Sequence, residues 1–162
     1  MRLAGKVAII TGGGSGFGEG IAAKFVREGA KVLIADRDPA GGERVAKLLG
    51  ASARSVCIDV ANAQDVKAMM DAAQQHFGGL HILVNNAGIG HVPQAMEELP
   101  EEQFDRIFAV NMKAIYLAMR EVVPRFKAQK SGVVLNVAST AGVSPRPRLT
   151  WYNASKGWVI TA

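Results

Sequence analysis

The chain has 162 residues, 49% of them hydrophobic and 20% charged. That is one domain's worth of sequence with enough apolar material for a core, which excludes a disordered chain. Its 18 glycines cluster without a three-residue period, which excludes a collagen-like repeat, and its single cysteine excludes an internal disulfide framework. The 19 basic and 14 acidic residues leave a net charge of +5.

The basic residues are scattered, from Lys6 and Lys24 through Arg54 and Lys67 to Lys113. The densest group, Arg125, Lys127 and Lys130, suits the last turns of a helix, where the dipole favours cations. No basic stripe points to nucleic acid. No apolar run reaches the ~18 residues of a membrane span. No signal peptide is expected, since the first apolar stretch stops at Thr11-Gly12, too short for a signal-peptide core and without a small-residue cleavage site. With one cysteine, a reducing cytoplasm is the expected compartment.

In chain order, short apolar runs alternate with helical patterns. Val7–Ile10 reads as a strand, and Ile21, Ala22, Phe25 and Val26 mark a helix that Gly29 stops. Val32–Ala35 is a second strand ending at Asp36, followed by a helix carrying Val45, Leu48 and Leu49. Ser55–Ile58 is a third strand ending at Asp59, and Val66, Met69, Met70 and Ala73 mark the next helix. Ile82–Val84 is a fourth strand. One long helix is expected over about Glu101 to Lys130, then a fifth strand over Val133–Val137 and a last helix over about Thr150 to Ala162. Cys57, inside a strand, is expected in the core. Trp151 and Trp158 are assigned to packing, and His76, His81 and His91 lack the clustering of metal ligands.

Strands apolar on both faces and separated by helices predict an α/β fold: a doubly wound, Rossmann-type parallel sheet in one domain over residues 1–162. In such a sheet, ligands bind beyond the carboxyl ends of the strands. Gly12, Asp36, Asp59, Asn85 and Ser139 all stand there.

Thr11-Gly12-Gly13-Gly14-Ser15-Gly16-Phe17-Gly18 joins the first strand to the first helix. Glycines let backbone approach a ligand, and the helix start offers free N–H groups to an anion, so a diphosphate is the natural occupant. The spacing is T-G-x-x-x-G-x-G; Phe17 stands where G-x-G-x-x-G would need its third glycine. Asp36, at the end of the second strand, can accept hydrogen bonds from an adenosine ribose and would repel a 2′-phosphate. NAD is therefore favoured over NADP, with Arg37 partly offsetting the preference. The bland alternative for Asp36 is a turn former in Asp36-Arg37-Asp38-Pro39.

Four motifs in this order carry a family resemblance: Thr11 to Gly18, Asn85-Asn86-Ala87-Gly88, Ser139, and Tyr152-Asn153-Ala154-Ser155-Lys156. Asp59-Val60 and Asn111 fit as well. A Tyr-x-x-x-Lys spacing alone is weak; the combination is not. The sequence resembles the short-chain dehydrogenases/reductases over essentially its whole length. The resemblance implies a nicotinamide-dependent oxidoreductase interconverting a secondary alcohol and a ketone. Tyr152 would exchange a proton with the substrate oxygen. A free phenol, with a pKa near ~10, is a poor base at neutral pH. Lys156, one helical turn on, would favour the phenolate and bind the nicotinamide ribose. Ser139 would hold the substrate oxygen. Asn111 would position a water linking Lys156 to solvent. Thr11, Gly12, Ser15, Gly16, Phe17 and Gly18 would cradle the diphosphate. Asn86, Ala87 and Gly88 would pack along the cofactor, and Asp59 and Val60 would meet the adenine.

Members of this family run to about 250 residues, with two more strands, a substrate lid and much of the oligomer interface after the Tyr-x-x-x-Lys helix. The chain is expected to be the front portion of a longer, oligomeric enzyme, inactive when isolated. Its fifth strand is expected to be an uncovered apolar edge. A non-catalytic nucleotide-binding module is the alternative. Arg146 and Arg148, between Ser139 and Tyr152, raise a 3-oxoacyl thioester as a possible substrate, against an exposed proline-stiffened loop.

Overall fold

Val7 to Thr11 are buried at every position, which a strand achieves only when helices cover both faces of its sheet. The computed structural model, which describes residues 1–162, has that arrangement. Strands β1 (Val7–Thr11), β2 (Lys31–Asp36), β3 (Ala53–Cys57), β4 (Ile82–Asn85) and β5 (Val133–Asn136) form one parallel sheet in the order β3-β2-β1-β4-β5. Ile10 lies opposite Ile34 on one side and Val84 on the other. The chain steps outward from β1 through β2 to β3, then returns to the other side of β1 for β4. The strand order reverses between β1 and β4, where a doubly wound sheet opens a crevice.

The two-residue period of the strands divides the core into two layers. Ile9, Leu33 and Leu83 join Val66, Met69 and Met70 of α3 (Ala63–Phe77) and Leu117, Ala118 and Val122 of α5 (Ala114–Ala128). Ile10, Val32, Ile34 and Val84 face the other way, onto Ala22 of α1 (Gly16–Arg27) and Val45 of α2 (Pro39–Leu49). Each fully buried aliphatic side chain contributes about 1.5–3 kcal/mol.

Local signals fix the helix boundaries. Asp38 accepts the Ala40 N–H, with Pro39 at the first helical position of α2. Asn62 caps α3 through the N–H groups of Gln64 and Asp65, and Gly78 ends it in the left-handed region. No helix is long and apolar enough to cross a membrane.

Three expectations need correction. The predicted helix over Glu101 to Lys130 is two helices, α4 (Glu101–Phe108) and α5, joined by a π turn over Ala109–Lys113. The extra residue in that turn swings Asn111 into the interior. β3 begins two residues earlier than predicted and stops at Cys57. Cys57 is exposed rather than in the core, because β3 is an outer strand and Cys57 stands at its carboxyl rim. The apolar edge is present: β5 is the other outer strand, with Val133 and Leu135 exposed. The last helix, α6, runs over Thr150–Thr161.

Candidate active site

The carboxyl ends of four strands enclose a cavity of about 360 Å³. β1 supplies Gly12, with Ser15, Gly16 and Phe17 following; β2 supplies Asp36 and Arg37. Asp59 and Val60 follow β3, and Asn86, Ala87 and Gly88 follow β4. Eleven of the positions singled out from the sequence therefore share one wall-to-wall site. Ile58, Ile89 and Val110 line it too; sequence reasoning missed them because an apolar residue beside a cleft carries the same signal as one in the core.

At the start of α1, Ser15 occupies the N-cap position but its side chain caps nothing. The first N–H groups of the helix thus keep their donors for a ligand, at the positive end of the dipole. Gly12 and Gly16 adopt φ +62° and +53°, a turn that brings bare backbone to the cavity. No atom lies within 4 Å of where a Cβ on Gly16 would stand. Phe17 is 85% exposed at the rim. Backbone donors, open space at Gly16 and a carboxylate at the far end fit a dinucleotide with a diphosphate at its middle.

Asp36 is held rigidly at that far end. Its Oδ2 accepts the Gly14 N–H at 2.8 Å and its Oδ1 accepts the Asp38 N–H at 3.0 Å. The turn-forming role and a ligand role are compatible, since a carboxylate has lone pairs beyond these two.

Two residues assigned to the loop lie behind it. Thr11 is buried; its hydroxyl donates to the Val84 carbonyl and accepts the N–H groups of Asn86 and Ala87. The Asn86 Nδ2 donates back to the carbonyls of Thr11 and Gly12. These bonds stitch the ends of β1 and β4 together across the reversal point. Gly18 packs against Gly12 from within α1.

Tyr152 and Lys156 lie one turn apart on α6. Neither borders the cavity, but Lys156 reaches it: Nζ lies 3.3 Å from where a Cβ on Gly88 would stand. Lys156 is only 6% exposed, and its ammonium donates to the Val137 carbonyl at 2.9 Å. Burial pushes it below the usual lysine range. Ser139 Oγ accepts the Ala141 N–H, capping a 3-10 turn over Thr140–Gly142. That turn packs hard on α6: a Cβ on Gly142 would come 2.7 Å from the Lys156 carbonyl carbon. Ser139 is thereby fixed relative to the Tyr152 helix.

Asn111 is 2% exposed, and its amide is already spoken for. Oδ1 accepts the Ile89 N–H at 2.8 Å; Nδ2 donates to the Ile89 carbonyl and to Ser155 Oγ, both at 2.9 Å. The side chain ties the cleft wall to α6, with one Oδ1 lone pair left over. Arg146 and Arg148 line a different cavity, beside Asn153, Ala154 and Gly157, which contains none of Ser139, Tyr152 or Lys156.

The Lys156 environment has a measurable consequence. Between its lowered folded-state pKa and the ordinary 10.5, the unfolded chain holds a proton that the folded chain has released. Folding stability therefore rises with pH across that window. Lys156→Met is expected to remove this component of the rise. Urea unfolding of both chains from neutral pH to 10.5 checks it, and identical pH slopes would contradict it.

Comparison with known proteins identifies the family. The short chain dehydrogenase family profile matches residues 6–161. A 4-formylbenzenesulfonate dehydrogenase of Comamonas testosteroni is 45% identical over 99% of this chain and 65% of its own length. An NADP-dependent (R)-specific alcohol dehydrogenase of Lentilactobacillus kefiri is 38% identical over 98% of this chain and 64% of its own. The chain thus spans somewhat less than two thirds of the length of these relatives. Among solved structures, a 3-ketoacyl-(acyl-carrier-protein) reductase from Brucella melitensis complexed with NADH superposes with a TM-score of 0.96. It is 54% identical, covering 98% of this chain and 67% of that one. Fold, motif order and family profile converge: the chain belongs to the short-chain dehydrogenase family.

Proposed function

We propose that residues 1–162 carry the cofactor cleft and the acid/base residues of an NAD(H)-dependent oxidoreductase that interconverts a secondary alcohol and a ketone. One observation carries the reading. The cavity at the strand-order reversal, with free helix N–H groups at its middle, ends beside the buried Lys156 ammonium on the helix that bears Tyr152.

Gly12, Ser15, Gly16 and Phe17 would hold the diphosphate, and Asp36 the adenosine ribose. Asp59 and Val60 would flank the adenine. Asn86, Ala87 and Gly88 would line the path toward Lys156, which would bind the second ribose. Bound nicotinamide supplies the hydride acceptor or donor. The chain's own part is proton handling and orientation. Tyr152 Oη takes the proton of the substrate hydroxyl in oxidation and returns it in reduction. Ser139 Oγ donates to the substrate oxygen as charge gathers there. Lys156 Nζ, held by the Val137 carbonyl, keeps a positive charge on the same helical face. The residual Oδ1 lone pair of Asn111 is where a water serving Lys156 would be held.

Cofactor choice is decided at Asp36. Its fixed carboxylate favours a ribose diol over a 2′-phosphate, with Arg37 beside it as the opposing influence. Titration with NADH and NADPH, read by energy transfer from the tryptophans, is expected to show about tenfold or more tighter NADH binding. Asp36→Ala is expected to narrow that gap. NADPH binding as tightly as NADH would overturn the assignment.

A 3-oxoacyl thioester is a narrower substrate reading, favoured by the likeness to the Brucella reductase. Arg146 and Arg148 give it no help, since they border the separate cavity on α6. A cytoplasmic setting and assembly into a homo-oligomer belong to the same proposal, as companions of the enzyme reading.

A further inference from the structure

Ser155 lies between the two residues assigned to proton handling and has no role so far. It is 2% exposed. Its Oγ donates to the Tyr152 carbonyl at 2.7 Å, in the same helix. A hydroxyl has one proton, so Oγ can only accept from its other neighbour, which is Asn111 Nδ2 at 2.9 Å. Asn111 in turn grips Ile89 through both its N–H and its carbonyl. Ile89 lines the cavity that holds the candidate cofactor residues. A continuous chain of four hydrogen bonds therefore runs from the cleft wall, through the π turn, to the backbone of Tyr152. Ser155 Oγ makes the single side-chain hydrogen bond between α6 and the π turn.

From this geometry we infer that Ser155 is a positioning residue: its hydroxyl locks the Tyr152–Lys156 helix to the cleft wall at Ile89 by way of Asn111. Three other side-chain bonds hold α6, and none reaches that wall. Trp151 Nε1 donates to the Met96 carbonyl, Asn153 Nδ2 to that of Arg146 and Lys156 Nζ to that of Val137. Gly88 adds a steric check on the same junction. A Cβ there would stand 3.3 Å from Lys156 Nζ and 3.4 Å from Asn111 Oδ1, so α6, the π turn and the β4 loop meet at that point. An alanine at 155 leaves an Asn111 N–H buried without a partner and frees the Asn111–Ile89 pair to move independently of α6.

The functional meaning rests on the oxidoreductase reading; the test does not. Amide hydrogen exchange of the ligand-free chain reports the lock directly. In the wild-type chain the Asn111 Nδ2 protons are expected to exchange slowly. In Ser155→Ala the Ile89 amide and the Asn111 side-chain protons are expected to lose about tenfold or more of their protection. Amides at the centre of β1 and β2 should keep theirs. Ser155→Thr keeps the hydroxyl and is expected to restore protection at Ile89. Fast exchange of Asn111 Nδ2 in the wild-type chain overturns the inference even if the alanine chain fails to fold. So does unchanged Ile89 protection in Ser155→Ala, or a folded Ser155→Thr chain that behaves like the alanine one. A parallel NADH titration separates the two claims: absence of NADH binding with the exchange pattern as expected counts against the oxidoreductase reading and leaves the lock standing.

Discussion

Tyr152→Phe is expected to lower alcohol oxidation by about 10²–10⁴-fold while leaving NADH affinity unchanged. The substitution removes only the hydroxyl. The ring stays beside Gly90, where a Cβ would stand 3.7 Å from Tyr152 Cδ2, so the helix and the loop after β4 keep their packing. None of the residues lining the 360 Å³ cavity is Tyr152, so the cleft should take up NADH as before. The loss falls on the proton step: a phenyl ring cannot accept the proton of a secondary alcohol or return it to a ketone. The rate is to be measured in a preparation that oxidises secondary alcohols, alongside an NADH titration. A rate within twofold of the wild type would remove Tyr152 from the chemistry. Loss of rate together with loss of NADH binding would point to a folding defect.

The sheet was legible because β1, β2 and β4 are buried on both faces and therefore apolar without interruption. The cleft was legible because Gly16, Asp36 and Asn86 follow apolar strands at the carboxyl rim, where a core position would stay apolar. What stayed hidden has physical causes. A π turn adds one residue to a helical period, and nothing in Ala109-Val110-Asn111-Met112-Lys113 marks it, so Asn111 could be named but its place at the junction could not be derived. Cys57 alternates correctly for a strand; its exposure follows from β3 being outermost, a property of strand order that no local window contains. Arg146 and Arg148 sit between two catalytic candidates in sequence, yet the loop that carries them ahead of α6 opens onto the Asn153–Gly157 side of that helix. Thr11 and Gly18 belong to the nucleotide loop by spacing, while their neighbours show them holding it in shape.

Gly18 gives the sharpest test of that last distinction. A Cβ on Gly18 would overlap the Gly12 carbonyl oxygen outright, and would come 2.7 Å from Asn86 Nδ2 and 2.8 Å from the Gly12 carbonyl carbon. Those atoms cannot yield cheaply. The Gly12 carbonyl is held by Asn86 Nδ2, and Asn86 is held by Thr11, so relief requires moving the turn as a unit. Gly18→Ala is therefore expected to cost about 1–3 kcal/mol of stability and to abolish measurable NADH binding. Gly20 supplies the control on the same helix. Nothing lies within 4 Å of its Cβ position and its φ is not positive, so Gly20→Ala is expected to be neutral or to stabilise by about 0.5–1 kcal/mol. Melting curves and NADH titrations of the two variants side by side decide the matter. If both glycines behaved alike, helix propensity would account for them and the close packing of α1 on the turn would carry no weight. If Gly18→Ala alone loses NADH while its far-ultraviolet spectrum stays native, the turn's shape, rather than the survival of the fold, is what the cleft requires.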